Sequence, residues 1–227
     1  IFCRHQFCAQ DSLRHEIAGD ALRYLGAIER ASARAERLIS DLLEASAIEN
    51  GVLTLARSSV DAAAIVRQAA ADHELLAKES GGKITAKLPG GSTLVSADRD
   101  RVLQVLGNLI GNALKHARGA PIEISLEHNG KDAIIAVRDD GPGIPEADQE
   151  QLFTRFFRGQ GVKTSGSGLG LAIAQELATR MAATLKVESR PGNTTFTLSL
   201  PLPGAPIDSL IPRGKAEVAG ATPVPPI

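Results

Sequence analysis

Gly166-Ser167-Gly168-Leu169-Gly170-Leu171 places three glycines at the mouth of an apolar stretch, Leu169 to Met181, whose spacing is helical. Glycines at a helix entry leave backbone N–H groups and the positive end of the helix dipole open to an anion, and a phosphate is the natural occupant. Flexible loops use the same residues, so the triplet takes its meaning from its surroundings. It is not a Walker-type loop, because no Lys-Ser or Lys-Thr pair follows it.

Downstream of that helix, Thr184 to Ser189 and Thr195 to Leu200 read as two closing strands. Upstream, Ile122 to Glu127 and Ala133 to Arg138 read as a hairpin turned by His128-Asn-Gly-Lys131. A helix is predicted from Asp98 to Ala117, with short strands before it at Ile84 to Leu88 and Thr93 to Ser96. Asp61 reads as the N-cap of a further helix that runs towards Lys78 and ends at Gly81-Gly82. This order predicts an α+β fold, a two-layer α/β sandwich with helices on one face of a mixed sheet.

From Asp20 to about Ile48, residues Leu25, Ile28, Ala35, Ile39 and Leu42 recur at spacings of three, four or seven among Arg and Glu. That is an amphipathic helix with a coiled-coil-like seam, stopped by Gly51. At ~1.5 Å per residue it is roughly 40 Å long and reads as one leg of a helical bundle or dimer. An amphipathic helix covering a core has the same pattern. From Pro201 onward Pro, Gly and Ala prevail without periodicity, so a disordered tail is expected. The expected divisions are 1–56, a helical segment; 57–202, the α/β domain; and 203–227, the tail.

The chain has 227 residues, 43% of them hydrophobic, enough for one large or two small domains. With 25 basic and 26 acidic residues it lacks the positive field that drives nucleic-acid binding, so no nucleic-acid partner is expected. No apolar run approaches the roughly 20 residues that span a bilayer, so this segment is expected to make no membrane contact. The first residue is Ile1 rather than Met, and an upstream extension is expected. Cys3 and Cys8 are too few for a disulfide scaffold, and with His5 and His15 they match no usual zinc spacing.

Three more segments accompany the glycine-rich one: Asn108-Leu-Ile-Gly-Asn112-Ala-Leu-Lys115-His116, Asp139-Asp-Gly141-Pro-Gly143-Ile144, and Phe153-Thr-Arg-Phe156-Phe157-Arg158. Asn108 and Asn112 share a helix face, where amide oxygens can ligate Mg²⁺ or bond a neighbouring helix. Lys115 lies on the same side and can meet a phosphate charge. Asp139 sits at a strand end before two glycines, a plain turn or an acceptor for an exocyclic amine such as that of adenine. The aromatic segment suits either a core edge or the anchor of a loop.

In order and spacing these segments resemble the N, G1, F and G2 boxes of sensor histidine kinases, members of the GHKL superfamily with its Bergerat-type ATP-binding fold. The likeness runs from Asp98 to Pro201. It implies ATP and Mg²⁺ as cofactors, with Asn112 holding the metal and Asn108, Lys115 and His116 on the phosphate side. It implies that Asp139 reads the adenine amine, that Gly141, Gly143 and Ile144 shape the base pocket, and that Gly166, Ser167, Gly168, Leu169 and Gly170 pack against the phosphates. Arg158 to Ser167 would be a mobile lid whose base is anchored by Phe153 and Phe156. Leu22 to Ser46 is similar to the second helix of the dimerisation and phosphotransfer hairpin, which implies a homodimer.

The same likeness implies an ATP-dependent protein-histidine kinase of a two-component system, cytoplasmic by itself or as the cytoplasmic part of an inner-membrane sensor, whose partner is the receiver domain of a response regulator. The family's acceptor His falls before Ile1 by spacing. His15-Glu16 resembles the start of the acceptor box, with Glu16 as a general base for the imidazole, but Ala-Gly-Asp follows it instead of Arg-Thr-Pro. His5 is a further candidate. Two alternatives stay open, an ATP-binding module that lacks autophosphorylation and a GHKL ATPase.

Overall fold

The computed structural model describes residues 21–203, except 22–23, 30, 33–34, 37 and 160–166. These residues form two compact units, one drawn from within Ile1–Thr54 and Glu146–Ile173, the other from within Leu55–Pro145 and Ala174–Ile227. In chain order the elements are α1 (38–49, with further helical positions at 24–29), β1 (Ser58–Asp61), α2 (Ala62–Glu79), β2 (Lys83–Lys87), β3 (Leu94–Ala97) and α3 (Arg99–His116). There follow β4 (Pro121–His128), β5 (Asp132–Asp139), α4 (Glu146–Gln149), α5 (Gly170–Arg180), β6 (Thr184–Arg190) and β7 (Asn193–Pro201).

In the first unit α1 ends where Gly51, at φ 67°, takes the left-handed conformation that closes a helix. Ala45 and Ile48, three apart, are buried. The seam read from the sequence lies elsewhere on the helix: Leu25, Ile28, Ile39 and Leu42 are all exposed in the single chain.

The second unit is built on a five-stranded sheet of order β2-β4-β5-β7-β6, in which β2 runs parallel to β4 and every other pair is antiparallel. Two parallel neighbours need a crossover, and α3 lies in the connection between them. Helices α2 and α3 pack on each other, α2 against β2 and β4, and α3 against β4 and β5. Alternate strand residues supply the buried face: Ile122, Ile124 and Leu126 of β4, Ala133, Ile135 and Val137 of β5, and Phe196, Leu198 and Leu200 of β7.

On α3, Val102, Val105, Leu106, Leu109 and Ile110 are fully buried. At ~1.5–3 kcal/mol each, these side chains outweigh the ~1 kcal/mol that Gly107 and Gly111 each cost a helix interior. The helical spacing therefore decides the element despite its glycines.

Both long helices start as the sequence indicates. Asp61 caps α2, its Oδ1 accepting from Ala63 N and from Thr93 N, both at 3.0 Å. Asp98 caps α3, accepting from Asp100 N at 3.1 Å and Arg101 N at 3.3 Å through Oδ1, while Oδ2 accepts from Ala56 N at 2.8 Å. Buried Asp98 thus secures a helix and the segment before β1 together. Asp98→Ala is expected to lower unfolding free energy by about 2–3 kcal/mol in urea titrations, a cap plus one further hydrogen bond.

Three features differ from the sequence expectation. The strand expected near Thr93 lies outside the main sheet, because β3 pairs only with β1 in a two-stranded ribbon. The unanticipated β1, Ser-Ser-Val-Asp, has no apolar alternation of its own and exists through that pairing. The four-residue α4 was likewise not anticipated.

Candidate functional site

In the second unit the register of four strands lines up Ile122, Asp139, Thr194 and Ser189 as one cross-strand row, next to the row Ile124, Val137, Phe196 and Val187. Residues directly opposite one another present their side chains on one face. The apolar face of the sheet therefore ends in a carboxylate and two hydroxyls. Asp139 and Thr194 are buried, at 6% and 4% exposure.

Asp139 is the last residue of β5, and its Oδ1 accepts from Gly141 N at 2.9 Å. Its Oδ2 has no other hydrogen bond among the described residues. Burial pushes its pKa up, the Gly141 N–H opposes this, and the neighbouring Asp140 charge adds to the rise. A Cβ on Gly141 would lie 2.6 Å from Asp139 Oδ1 and 2.9 Å from Ala117 Cβ, so the glycine keeps the space beside the carboxylate open.

The segment from Gly141 to Ile144 is stitched to the β6–β7 hairpin. Gly192 N donates to Gly141 O at 2.9 Å, Ile144 N donates to Ser189 Oγ at 2.9 Å, and Gly143 at φ 81° lies directly on the Arg190–Pro191 backbone. Ser189 Oγ is also 2.8 Å from Thr194 Oγ1.

Along α3, Asn108, Asn112 and Lys115 are half-buried at spacings of four and three, on a side adjoining the buried stripe. His116 closes the helix with its residue surface exposed, yet desolvation of the ring, followed by the Lys115 charge, lowers its pKa. Lys115 and His116 in the last turn also suit the negative end of the helix dipole.

In the first unit, Gly168 at φ 71° meets the backbone of Phe156, and Phe156 N donates to Gly168 O at 3.0 Å. A Cβ at Gly168 would lie 2.8 Å from Phe156 C. Phe156 makes this contact through its backbone and is 63% exposed as a residue, whereas Phe153 is half-buried. Ser167 Oγ accepts from Leu169 N at 3.2 Å and donates to Asp41 Oδ2 of α1 at 2.8 Å. Arg155 pairs with Glu49 of α1. Leu169 is buried, Gly170 opens α5, and Arg158 is exposed.

His5, His15, Glu16, Gly166 and most of the expected lid and tail lie outside the described residues. Sequence reading assigned no role to Thr194 or Ser189. The available signal was strand alternation, which places Thr194 on the face of Phe196, Leu198 and Leu200, where an apolar residue is expected.

A mixed sheet under two helices with a buried carboxylate at the end of its central strand is the frame of a nucleotide-binding domain. Residues 97–204 match the histidine kinase-, DNA gyrase B-, and HSP90-like ATPase family, which implies ATP as the nucleotide. The sensor-like histidine kinase SenX3 of Mycobacterium tuberculosis is 36% identical over 169 residues, 72% of this chain and 41% of that protein. The chain belongs to the sensor histidine kinases and spans about two fifths of the length of this relative.

Among solved structures, the Acinetobacter baumannii histidine kinase AdeS superposes with a TM-score of 0.63 at 26% identity, over 74% of this chain and 78% of that one. Histidine kinase ThkA, in complex with the response regulator protein TrrA, shares the fold at a TM-score of 0.65 and 23% identity, over 82% of this chain and 52% of that one.

Proposed function

We propose that this chain binds Mg-ATP and transfers the γ-phosphoryl group to a histidine on a dimerisation hairpin, from which it passes to an aspartate of a response-regulator receiver domain. The observation that carries this reading is Asp139, a buried carboxylate with one oxygen held by Gly141 N, beside space that only glycine leaves open. That arrangement suits the exocyclic amine of adenine. Asn112, with Asn108 one turn before it, offers hard amide oxygens of the kind Mg²⁺ accepts. Among the described residues no group of three or more His, Cys, Asp or Glu side chains could hold a metal, so a cation here would rest on amide and phosphate oxygens. Mg-ATP supplies the phosphoryl group and shares its developing charge. Lys115 counters phosphate charge, and Gly141 to Ile144 orient the base.

Family ATPases that activate water for attack place a glutamate four residues before the metal-binding Asn. Asn108 occupies that position and cannot take a proton, which favours transfer to histidine over hydrolysis. The exposed stripe of Leu25, Ile28, Ile39 and Leu42 supports pairing with a second copy. No helix among the described residues is long and apolar enough to cross a membrane. On this reading the segment works in the cytoplasm, where ATP and receiver domains meet, and it would serve equally below a membrane-bound sensor.

The chain is incubated with γ-labelled ATP and Mg²⁺, alone and with a separate hairpin carrying an intact acceptor histidine. Label that resists base and is lost in acid is expected on the added hairpin. Label on the chain itself that disappears in His15→Ala would move the acceptor into this sequence. Steady phosphate release with no labelled protein would replace the kinase reading by the ATPase one.

A further inference from the structure

The dipeptide Asn-Gly occurs twice in the chain, as Asn50–Gly51 at the end of α1 and as Asn129–Gly130 in the turn between β4 and β5. All four residues are exposed, so access to water does not distinguish the pairs. Both glycines are left-handed, at φ 67° and 86°, and nothing lies within 4 Å of a Cβ built on either. The hydrogen bonds do distinguish them. Asn50 Nδ2 donates to Ser46 O at 2.9 Å and to Ser46 Oγ at 3.3 Å, and Gly51 N donates to Ile48 O at 3.1 Å. In the second pair the bonds fall on the opposite atom of the amide. Asn129 Oδ1 accepts from Lys131 N at 3.0 Å and from Asp132 N at 2.8 Å, while Asn129 Nδ2 and Gly130 N have no hydrogen bond among the described residues.

We propose that Asn129 is a site of intramolecular deamidation, a covalent modification for which the folded turn supplies nucleophile, electrophile and stabilising donors, and which is independent of the nucleotide-site reading. Base removes the proton from Gly130 N, and that nitrogen attacks Asn129 Cγ to form the N–Cγ bond of a cyclic succinimide. Negative charge gathers on Oδ1 as the bond forms, where the N–H groups of Lys131 and Asp132 already point. The Cγ–Nδ2 bond then breaks, and the amide nitrogen leaves as ammonia with a proton taken from water. Water opens the ring at either carbonyl and yields aspartate or its β-linked isomer. Glycine presents the attacking nitrogen with no Cβ beside it. The turn gains one negative charge. Aspartate keeps an oxygen for the two N–H groups, whereas the β-linked product routes the backbone through the side chain and breaks the turn. At Asn50–Gly51 the same attack must first free both the leaving amide and the Gly51 N–H, and one such bond is worth about tenfold in rate.

The full chain is aged at physiological temperature and at several pH values, then digested, and the peptides that contain each pair are followed by mass spectrometry for conversion of amide to carboxylate. In the folded chain Asn129 is expected to convert at least about tenfold faster than Asn50, at a rate that rises with pH, and to give both aspartate and the β-linked isomer. In guanidinium chloride, which removes both sets of hydrogen bonds, the two rates should converge. Gly130→Ala, which sets a methyl group beside the attacking nitrogen, should slow conversion at Asn129 and leave Asn50 unchanged. Equal rates in the folded chain, faster conversion at Asn50, or a difference that persists undiminished in guanidinium chloride overturns the inference. So does a product at Asn129 that contains no β-linked isomer, because ring opening must yield it.

Discussion

An Asp139→Asn chain is expected to bind Mg-ATP about 10- to 100-fold more weakly by calorimetry while melting no lower than the parent. The lost interaction is a hydrogen bond to a charged group, worth roughly 1.5–3 kcal/mol, and 1.4 kcal/mol is a factor of ten. Asparagine keeps an oxygen for the Gly141 N–H, so the turn survives, but it sets an amide donor against the donor of the base. Burial raises the pKa of Asp139 above the ordinary carboxylate value, so the fold favours the neutral acid. The contribution to stability is therefore complete below the unfolded pKa and is lost as pH rises through the folded one. The surroundings of Asp139 disfavour its ionised form, and the amide removes that cost. The melting advantage of the variant should shrink in acid. Equal ATP affinity in parent and variant would remove Asp139 from the site.

Gly143→Ala should be the most destabilising single change in the loop, at about 3 kcal/mol or more, read as a lower urea midpoint at constant slope. At φ 81°, Gly143 would place a Cβ 2.6 Å from both Arg190 C and Arg190 O and 2.8 Å from Pro191 N. All three are backbone atoms, and they belong to the hairpin that also receives Gly141 O and Ile144 N. Neither side can yield without parting those bonds, so nucleotide affinity should fall with stability. Gly130→Ala is the control: its φ is 86° but nothing lies within 4 Å of the new Cβ. It should cost only the ~1–2 kcal/mol of a left-handed alanine. Equal losses at the two positions would show that the contact with Arg190 carries no weight.

Helices α2 and α3 were legible because capping and periodicity are local: Asp61 and Asp98 stand before apolar residues at helical spacing. The Asp139 position was legible for the same reason, a carboxylate at the end of an alternating strand with glycines two and four residues on. What lay beyond reach depended on partners distant in sequence. β1 needs β3 to be a strand at all, and Ser189 and Thr194 gain meaning only through register with β5. The pairs Ser167–Asp41 and Arg155–Glu49 join residues more than a hundred positions apart, and no spacing rule reaches them.

The strand order also dictates when the row of Asp139, Thr194 and Ser189 can exist during synthesis. The β4–β5 hairpin closes a short turn and can form as soon as it leaves the ribosome, but β5 meets β7 only through residues 55 positions further on, Asp139 with Thr194. Non-local pairing of this kind is slow and follows local structure. The nascent chain therefore holds Asp139 on an unfinished sheet, with an open β5 edge exposed to wrong partners, until β6 and β7 emerge together as a hairpin and dock. The row of Asp139, Thr194 and Ser189 is therefore completed late, and a ribosome stalled before Asn193 would display β5 without the strand that pairs with it.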